Sequence, residues 1–352
     1  MFIMSYAYLD EAHYILGENM KIDIVIPWVD GADPALLKKR QLFANDEEIS
    51  DIKTDQLNGQ YRYRDSGLLR YLFRSIDRFA PWVHKVFLVT NDQWPNWLDY
   101  SNKKLVKVRH EDYIPERWLP TFSSNPILLN LHRISGLSDQ FILFNDDTLI
   151  NKPVNPEDFF VNENTVKDFG IYSVIPANDP FSHLLLNNTM VINEHFSKMS
   201  LFKQAPFKVL NFKYGTDLIR SLLALPWHAI PGFFNPHTPQ PYLKKTFEEV
   251  WSLEGERLGA TSAHRFREPS DLTDWVFRYW QIQSNEFEPQ SRRFTQYYEQ
   301  TLHQKIRNDL VKSIHSVICI NDTPVSNKED RVADCIIEAL NTKFPDKSQF
   351  EI

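Results

Sequence analysis

What most constrains this chain is a recurring unit, a short run of apolar, often β-branched residues that stops abruptly at Asn or Asp. Ile22 to Val29 runs into Asp30-Gly31, Lys85 to Thr90 into Asn91-Asp92, Gln140 to Phe144 into Asn145-Asp146-Asp147, and Ser316 to Ile320 into Asn321-Asp322. Leu105 to Val108 supplies one more such run. Between the early runs stand segments with helical spacing. The clearest is Leu69, Leu72, Phe73, Ile76 and Phe79, whose other side carries Arg70, Arg74 and Arg78 as a basic ridge. Strands alternating with helices predict an α/β fold with a largely parallel, Rossmann-like sheet covered on both faces. In such a sheet the ligand crevice lies at the carboxyl ends of the strands. Asp146 and Asp147 stand at one of those ends. They can hold a divalent cation against a diphosphate, with one of them free to act as a base, or they can simply cap the following turn.

The rest of the chain limits what such a crevice can serve. A formal net charge of −7 over 352 residues disfavours a general nucleic-acid binder, whose phosphate contacts need an excess of Lys and Arg. Two cysteines, Cys319 and Cys335, support neither a disulfide framework nor a thiolate zinc site, and a reducing cytoplasm fits them. The N-terminal stretch lacks the pattern of a secretory leader, and no run approaches the length of a membrane-spanning helix, so the expectation is a soluble protein. Ten glycines leave little room for a glycine-rich phosphate loop, so phosphate binding has to come from metal and arginine.

We expect residues 1–20 to form an arm and residues 21–352 a single catalytic domain. Within it, 21–152 is a nucleotide-binding α/β half, and 153–312 is an aromatic-rich helical insertion or lid carrying the acceptor region. The remaining 313–352 is a C-terminal strand and helix. Tyr242 to Trp251 and Leu272 to Gln283 read as helices with aromatic faces.

Four groups of residues resemble a known family. Ile22 to Pro34, with Val29-Asp30-Gly31-Ala32-Asp33-Pro34 at its end, is similar to the first conserved block of the Stealth proteins. The second block is similar in Tyr61 to Ser75, Ala80-Pro81-Trp82-Val83, Val86 to Asn91, Leu119 to Asn125, Leu131-His132-Arg133-Ile134 and Asn145-Asp146-Asp147. The third is similar in His237-Thr238-Pro239 and His264-Arg265-Phe266-Arg267, and the fourth in Cys319-Ile320-Asn321-Asp322. The resemblance departs at Asp92, where the family carries Gly, and at Leu68 and Leu128, where it carries acidic residues.

The resemblance implies a glycosyltransferase-A-type sheet and transfer of a sugar-1-phosphate from a nucleotide sugar to a glycan hydroxyl, with Mg²⁺ or Mn²⁺ as cofactor. The expected metal ligands are Asp146, Asp147 and Asp322. Arg64, Arg70 and Arg267 are candidate diphosphate clamps, because a guanidinium offers a planar fork to phosphate oxygens. Asp30, Gly31, Asn91 and Asn145, with Arg70, are the expected nucleotide-sugar contacts. His237, stiffened between Pro236 and Thr238-Pro239, is the expected base toward the acceptor hydroxyl, coupled to Asp146. Arg74 and Arg78 are expected to be a solvated face, and His132 and His264 structural. The expected partners are a nucleotide-sugar donor and a glycan acceptor, with no nucleic acid and no transmembrane segment, and a loose association with the inner membrane where glycans are assembled. Two other readings compete: a metal-dependent glycosyltransferase releasing a nucleoside diphosphate, and a glycan-binding protein without turnover.

Overall fold

The computed structural model describes residues 20–46, 57–58, 67–321 and 329–352. The main sheet starts with β1 (Ile22–Pro27), β2 (Val86–Thr90), β3 (Leu105–Arg109) and β4 (Gln140–Leu143). Its strand order is β3-β2-β1-β4, all parallel, with Ile24 opposite Val86 on one side of β1 and Ile22 opposite Gln140 on the other. Parallel strands share one carboxyl edge, so the polar residues after each apolar run arrive together, as the sequence pattern predicts.

One correction concerns the far edge of this sheet. Residues 242–251 read as one helix, but β8 (Gln240–Leu243) comes first and pairs antiparallel with β4, and the helix Lys244–Ala263 follows. A four-residue strand containing Pro241 has no usable periodicity. Its place at the sheet edge is what tolerates the missing N–H.

At 145–147 the chain leaves the main sheet. Thr148 N bonds Asn145 O at 3.1 Å, and β5 (Thr148–Ile150) runs into a second sheet. There it lies antiparallel to β11 (Val317–Asn321), which is itself parallel to β10 (Thr295–Glu299). A third sheet joins β6 (Phe160–Asn162), β7 (Thr165–Asp168) and β9 (Phe287–Pro289). The region expected as an insertion holds helices at Phe181–His195, Lys198–Gln204, Leu218–Ala224, Lys244–Ala263 and Trp275–Gln283. It also lends β8 to the main sheet and β10 to the second. One hydrophobic cluster runs through all of this, from Ile22 to Phe350.

The helix Leu69–Phe79 buries Leu69, Leu72, Phe73 and Ile76, the face its spacing marks. Of the two arginines expected on a solvated face, Arg78 is exposed, whereas Arg74 is largely covered. Arg74 grips both carboxylate oxygens of Glu351 at 2.7 and 2.9 Å and the Phe344 carbonyl at 2.8 Å, and Arg78 Nη1 donates to Lys343 O. The C-terminal segment lies across the ridge and uses the guanidinium forks, a contact no local pattern announces.

Candidate active site

The crossing from β4 to β5 places Asp147 between two sheets. Its carbonyl accepts from Ile320 N at 2.9 Å, and its Oδ1 accepts from Thr148 Oγ1 at 3.1 Å. Its Oδ2 receives the Cys319 thiol at 3.4 Å. Backbone pairing sets Cys319 opposite Thr148 on one side and Tyr297 on the other. Cys319 is buried. That burial, with the carboxylate of Asp147 and the charge of Asp146 beside it, holds its thiol well above the usual range and keeps it protonated.

His237 arrives from the opposite side. Leu143 pairs with Gln240, so the residues just before Gln240 lie beyond the end of β4, where Asn145-Asp146-Asp147 also lie. His237 has φ of 49°, a left-handed conformation that a non-glycine residue keeps only when its surroundings hold it. The residues just before it are anchored by side chains. Arg278, with no exposed surface, donates from Nη1 to Phe234 O and to Asn235 Oδ1, each at 3.0 Å, and Tyr279 Oη donates to the same Asn235 oxygen at 2.9 Å. The other edge of Arg278 is forked onto Asp168, from Nε at 2.9 Å and Nη2 at 2.8 Å, and Gln240 Nε2 donates to the same carboxylate at 2.9 Å. The imidazole meets the Tyr297 ring edge-on at 5.6 Å.

Two further groups face this histidine. Burial pushes the Asp274 carboxyl up to about 6; Tyr242 Oη donates to it at 2.8 Å, and the charges of His237 and Arg278 pull the other way. Burial likewise pushes the Tyr297 phenol up to about 12, with Cys319 and Glu299 adding to it. The site therefore combines neutral buried groups with an imidazole and carboxylates.

Asp147, His237 and Cys319 bring one ligand atom each to within 4.8 Å of one another, one such group among the described residues. A divalent cation fits this set in kind. The carboxylate suits Mg²⁺ or Mn²⁺, whereas imidazole and thiol favour softer ions. Asp322, the expected third carboxylate, and Arg64, an expected clamp, lie outside the described residues.

The other expected residues are placed as follows. Asp146 is near enough to Cys319 to act on its charge state. Arg267 ties two segments together, donating from Nη1 to Leu57 O at 2.9 Å and from Nη2 to Ser124 Oγ at 2.8 Å, while its backbone N bonds Asn58 Oδ1 at 2.8 Å. Asp30 closes the turn after β1, its Oδ1 accepting from Ala32 N at 2.9 Å, beside the buried Gly31. Gln93 latches that turn by exchanging bonds with Asp30 N and O at 3.0 and 3.1 Å. Asn91 lines a cleft of about 250 Å³ at the ends of β2 and β3, with Lys39, Arg109 and His110. Its neighbour Asp92 has φ of 59°, a backbone region that glycine adopts most easily. Arg70 lies over the Trp97 ring at 4.9 Å and faces Glu351 at 3.7 Å, contacts that set it with the C-terminal segment. His132 packs against Phe247 and Trp251, and His264 Nδ1 pairs with Asp271 at 2.7 Å.

Sequence reasoning missed the side chains that complete the site. Cys319 was set aside because two cysteines make neither a disulfide framework nor a thiolate cluster, an argument that leaves one cysteine beside a carboxylate untouched. Tyr297 carries no local signal. Arg278 does, since a lone cation inside the aromatic run Trp275–Gln283 must be paired if it is buried.

Residues 20–47 match the family model of Stealth protein conserved region 1, and residues 62–168 match conserved region 2. Over 95% of its length the chain is 40% identical to a capsular polysaccharide phosphotransferase, WcwK, of Streptococcus pneumoniae, covering 99% of that protein. It is 39% identical to the exopolysaccharide phosphotransferase cps2G of Lactiplantibacillus plantarum, over 94% of this chain and 96% of the relative. It is 38% identical to the receptor polysaccharide phosphotransferase WefC of Streptococcus gordonii, over 94% of this chain and 99% of the relative. Among solved structures, the galactosyltransferase LgtC in complex with donor and acceptor sugar analogues aligns at a TM-score of 0.41 and 10% identity, over 91% of this chain and 95% of that one. With relatives of that identity spanning nearly the whole chain, the protein belongs to the Stealth family and is a phosphotransferase.

Proposed function

We propose that the protein transfers a sugar-1-phosphate from a uridine diphosphate sugar to a hydroxyl of a capsular polysaccharide or exopolysaccharide, forming a phosphodiester and releasing UMP. The observation that carries this reading is the convergence of His237 with Asp147 at the end of β4, the histidine standing in a left-handed backbone conformation.

In this reading His237 takes the proton from the acceptor hydroxyl at a ring nitrogen. The hydroxyl oxygen then forms a bond to the β-phosphorus, the bond to the bridging oxygen breaks, and its electron pair leaves on the α-phosphate of UMP. Asp147 brings a carboxylate oxygen beside the ring that receives the proton. Cys319, donating to Asp147 Oδ2, holds that carboxylate in one orientation. Arg267 and Arg64 are assigned to the diphosphate, Asp30, Gly31, Asn91, Asn145 and Arg70 to the rest of the donor. Asp146, Asp147 and Asp322 would hold the divalent cation. When bound, the cation supplies positive charge that offsets the diphosphate.

The test is product identity. The protein is incubated with uridine diphosphate sugars, Mg²⁺ or Mn²⁺ and a glycan acceptor, and the product is read by phosphorus NMR. A diester resonance with stoichiometric UMP is expected. A phosphorus-free glycan with released UDP makes the protein an ordinary glycosyltransferase, and binding without turnover makes it a glycan-binding protein.

A further inference from the structure

Seventeen large hydrophobic side chains are exposed among the described residues, and seven of them fall between residues 199 and 227: Met199, Phe207, Phe212, Ile219, Leu222, Leu223 and Trp227. The set includes every Phe and Trp among those seventeen, with Phe212 93% exposed, Phe207 80% and Trp227 56%. The helix Leu218–Ala224 is inverted relative to an ordinary surface helix. It buries Ser221 and Ala224 and turns Ile219, Leu222 and Leu223 outward. This is a built arrangement. The buried Lys198 Nζ donates to Ala224 O at 2.9 Å, Leu225 O at 3.0 Å and Trp227 O, holding the helix end and the Trp227 backbone in place. Asn211 Nδ2 bonds Phe207 O at 2.8 Å, and Ser221 Oγ accepts from Tyr172 N at 3.0 Å.

Charge says what covers such a surface. The stretch 199–227 carries Lys203, Lys208, Lys213 and Arg220 against the single acid Asp217, in a chain whose net charge is −7. Exposed aromatic and aliphatic side chains interleaved with cations are the composition of a surface that lies in the headgroup region of an anionic bilayer. A second copy of this acidic chain would meet the same cations with no matching acidic face of its own in this stretch. We propose that residues 199–227 dock the protein on an anionic lipid bilayer, with Phe207, Phe212, Leu223 and Trp227 entering the headgroup boundary and Lys203 and Lys213 facing lipid phosphates. The proposal rests on the phosphotransferase reading only in what brings the enzyme to a bilayer, the site of glycan assembly.

Flotation with vesicles tests it without any turnover. The full chain is mixed with phosphatidylcholine vesicles, and with vesicles containing phosphatidylglycerol, and the bound fraction is measured. Binding to the anionic vesicles is expected, weakened at high salt. The Phe207→Ser/Phe212→Ser/Leu223→Ser variant, whose changes are all at exposed positions, should bind at least tenfold less, and Lys203→Glu/Lys213→Glu should lose roughly fivefold per charge. Transfer to a soluble acceptor should be unchanged in both, so failure of vesicle binding and failure of the phosphotransferase reading are separate results. Equal binding to neutral and anionic vesicles, unchanged binding by the variants, or a dimer in light scattering that the triple variant dissolves would each overturn the proposal.

Discussion

The two sides of the site are held by different forces. Asp147 and Cys319 are fixed by backbone pairing of β5 with β11, which continues whatever their side chains are. The loop that carries His237 is anchored by side chains, from Phe234 and Asn235 to Arg278 and from there to Asp168. On the first side, chemistry and folding are separable. On the second they are coupled, because the group that anchors the histidine loop is a buried cation whose loss leaves the Asp168 carboxylate without its ion pair. The carboxylate is thus placed by backbone pairing, and the histidine loop by a buried ion pair.

The largest effect that would sharpen this contrast comes from Asp147→Asn. Activity should fall by about a hundredfold to a thousandfold, the scale on which one preorganised group contributes to transfer. The melting temperature should stay within a few degrees of the parent. A large drop in melting temperature would remove the separation. Arg278→Met attacks the other side and should destabilise the fold by roughly 3–5 kcal/mol in denaturant unfolding, with activity lost even in the fraction that remains folded. Full activity in a destabilised Arg278→Met protein would break the proposed link to His237.

Arg267→Lys keeps the charge and discards the fork that bonds Leu57 O and Ser124 Oγ, so activity should drop by roughly tenfold or more with little change in KM for the acceptor. Asp274→Asn should act on pH dependence. A buried carboxyl raised to about 6 binds its proton more tightly in the folded state. The parent therefore loses stability as pH climbs from the ordinary carboxylate range near 4 to about 6, by about 1.4 kcal/mol per pH unit, and stays level above. The variant minus parent difference in unfolding free energy should rise through that window, and a flat difference would count against burial as the cause. Subtracting the parent matters because buried His110 and His132, lowered to about 4 and about 3 chiefly by burial, work in the opposite sense, losing stability as pH falls below about 6.5. Smallest of all, Arg78→Lys, at an exposed side chain that donates to the Lys343 carbonyl and lies over the Phe79 ring at 5.1 Å, should change stability by less than about 0.5 kcal/mol and leave activity intact.

Much of this was legible before any coordinate. The apolar runs at β1, β2, β3, β4 and β11 announced themselves by composition and by the polar residues that end them. The helix Leu69–Phe79 did so by its spacing. Those patterns depend on what one residue and its near neighbours prefer, which is why Asp146 and Asp147 could be set at a strand end from the sequence alone. The family blocks added His237 and Arg267 as candidates, without saying which of them meet. Tertiary structure decided the rest. It turned residues 240–243 into a strand, folded the C-terminal segment over Arg74, and brought Cys319 to Asp147 across 172 positions of chain. Such contacts follow from strand register and from which elements stack, and register is settled by burying one whole face of the molecule at once. No local window contains that sum, so the sequence by itself marks the carboxylates, and only the packed chain selects their partners.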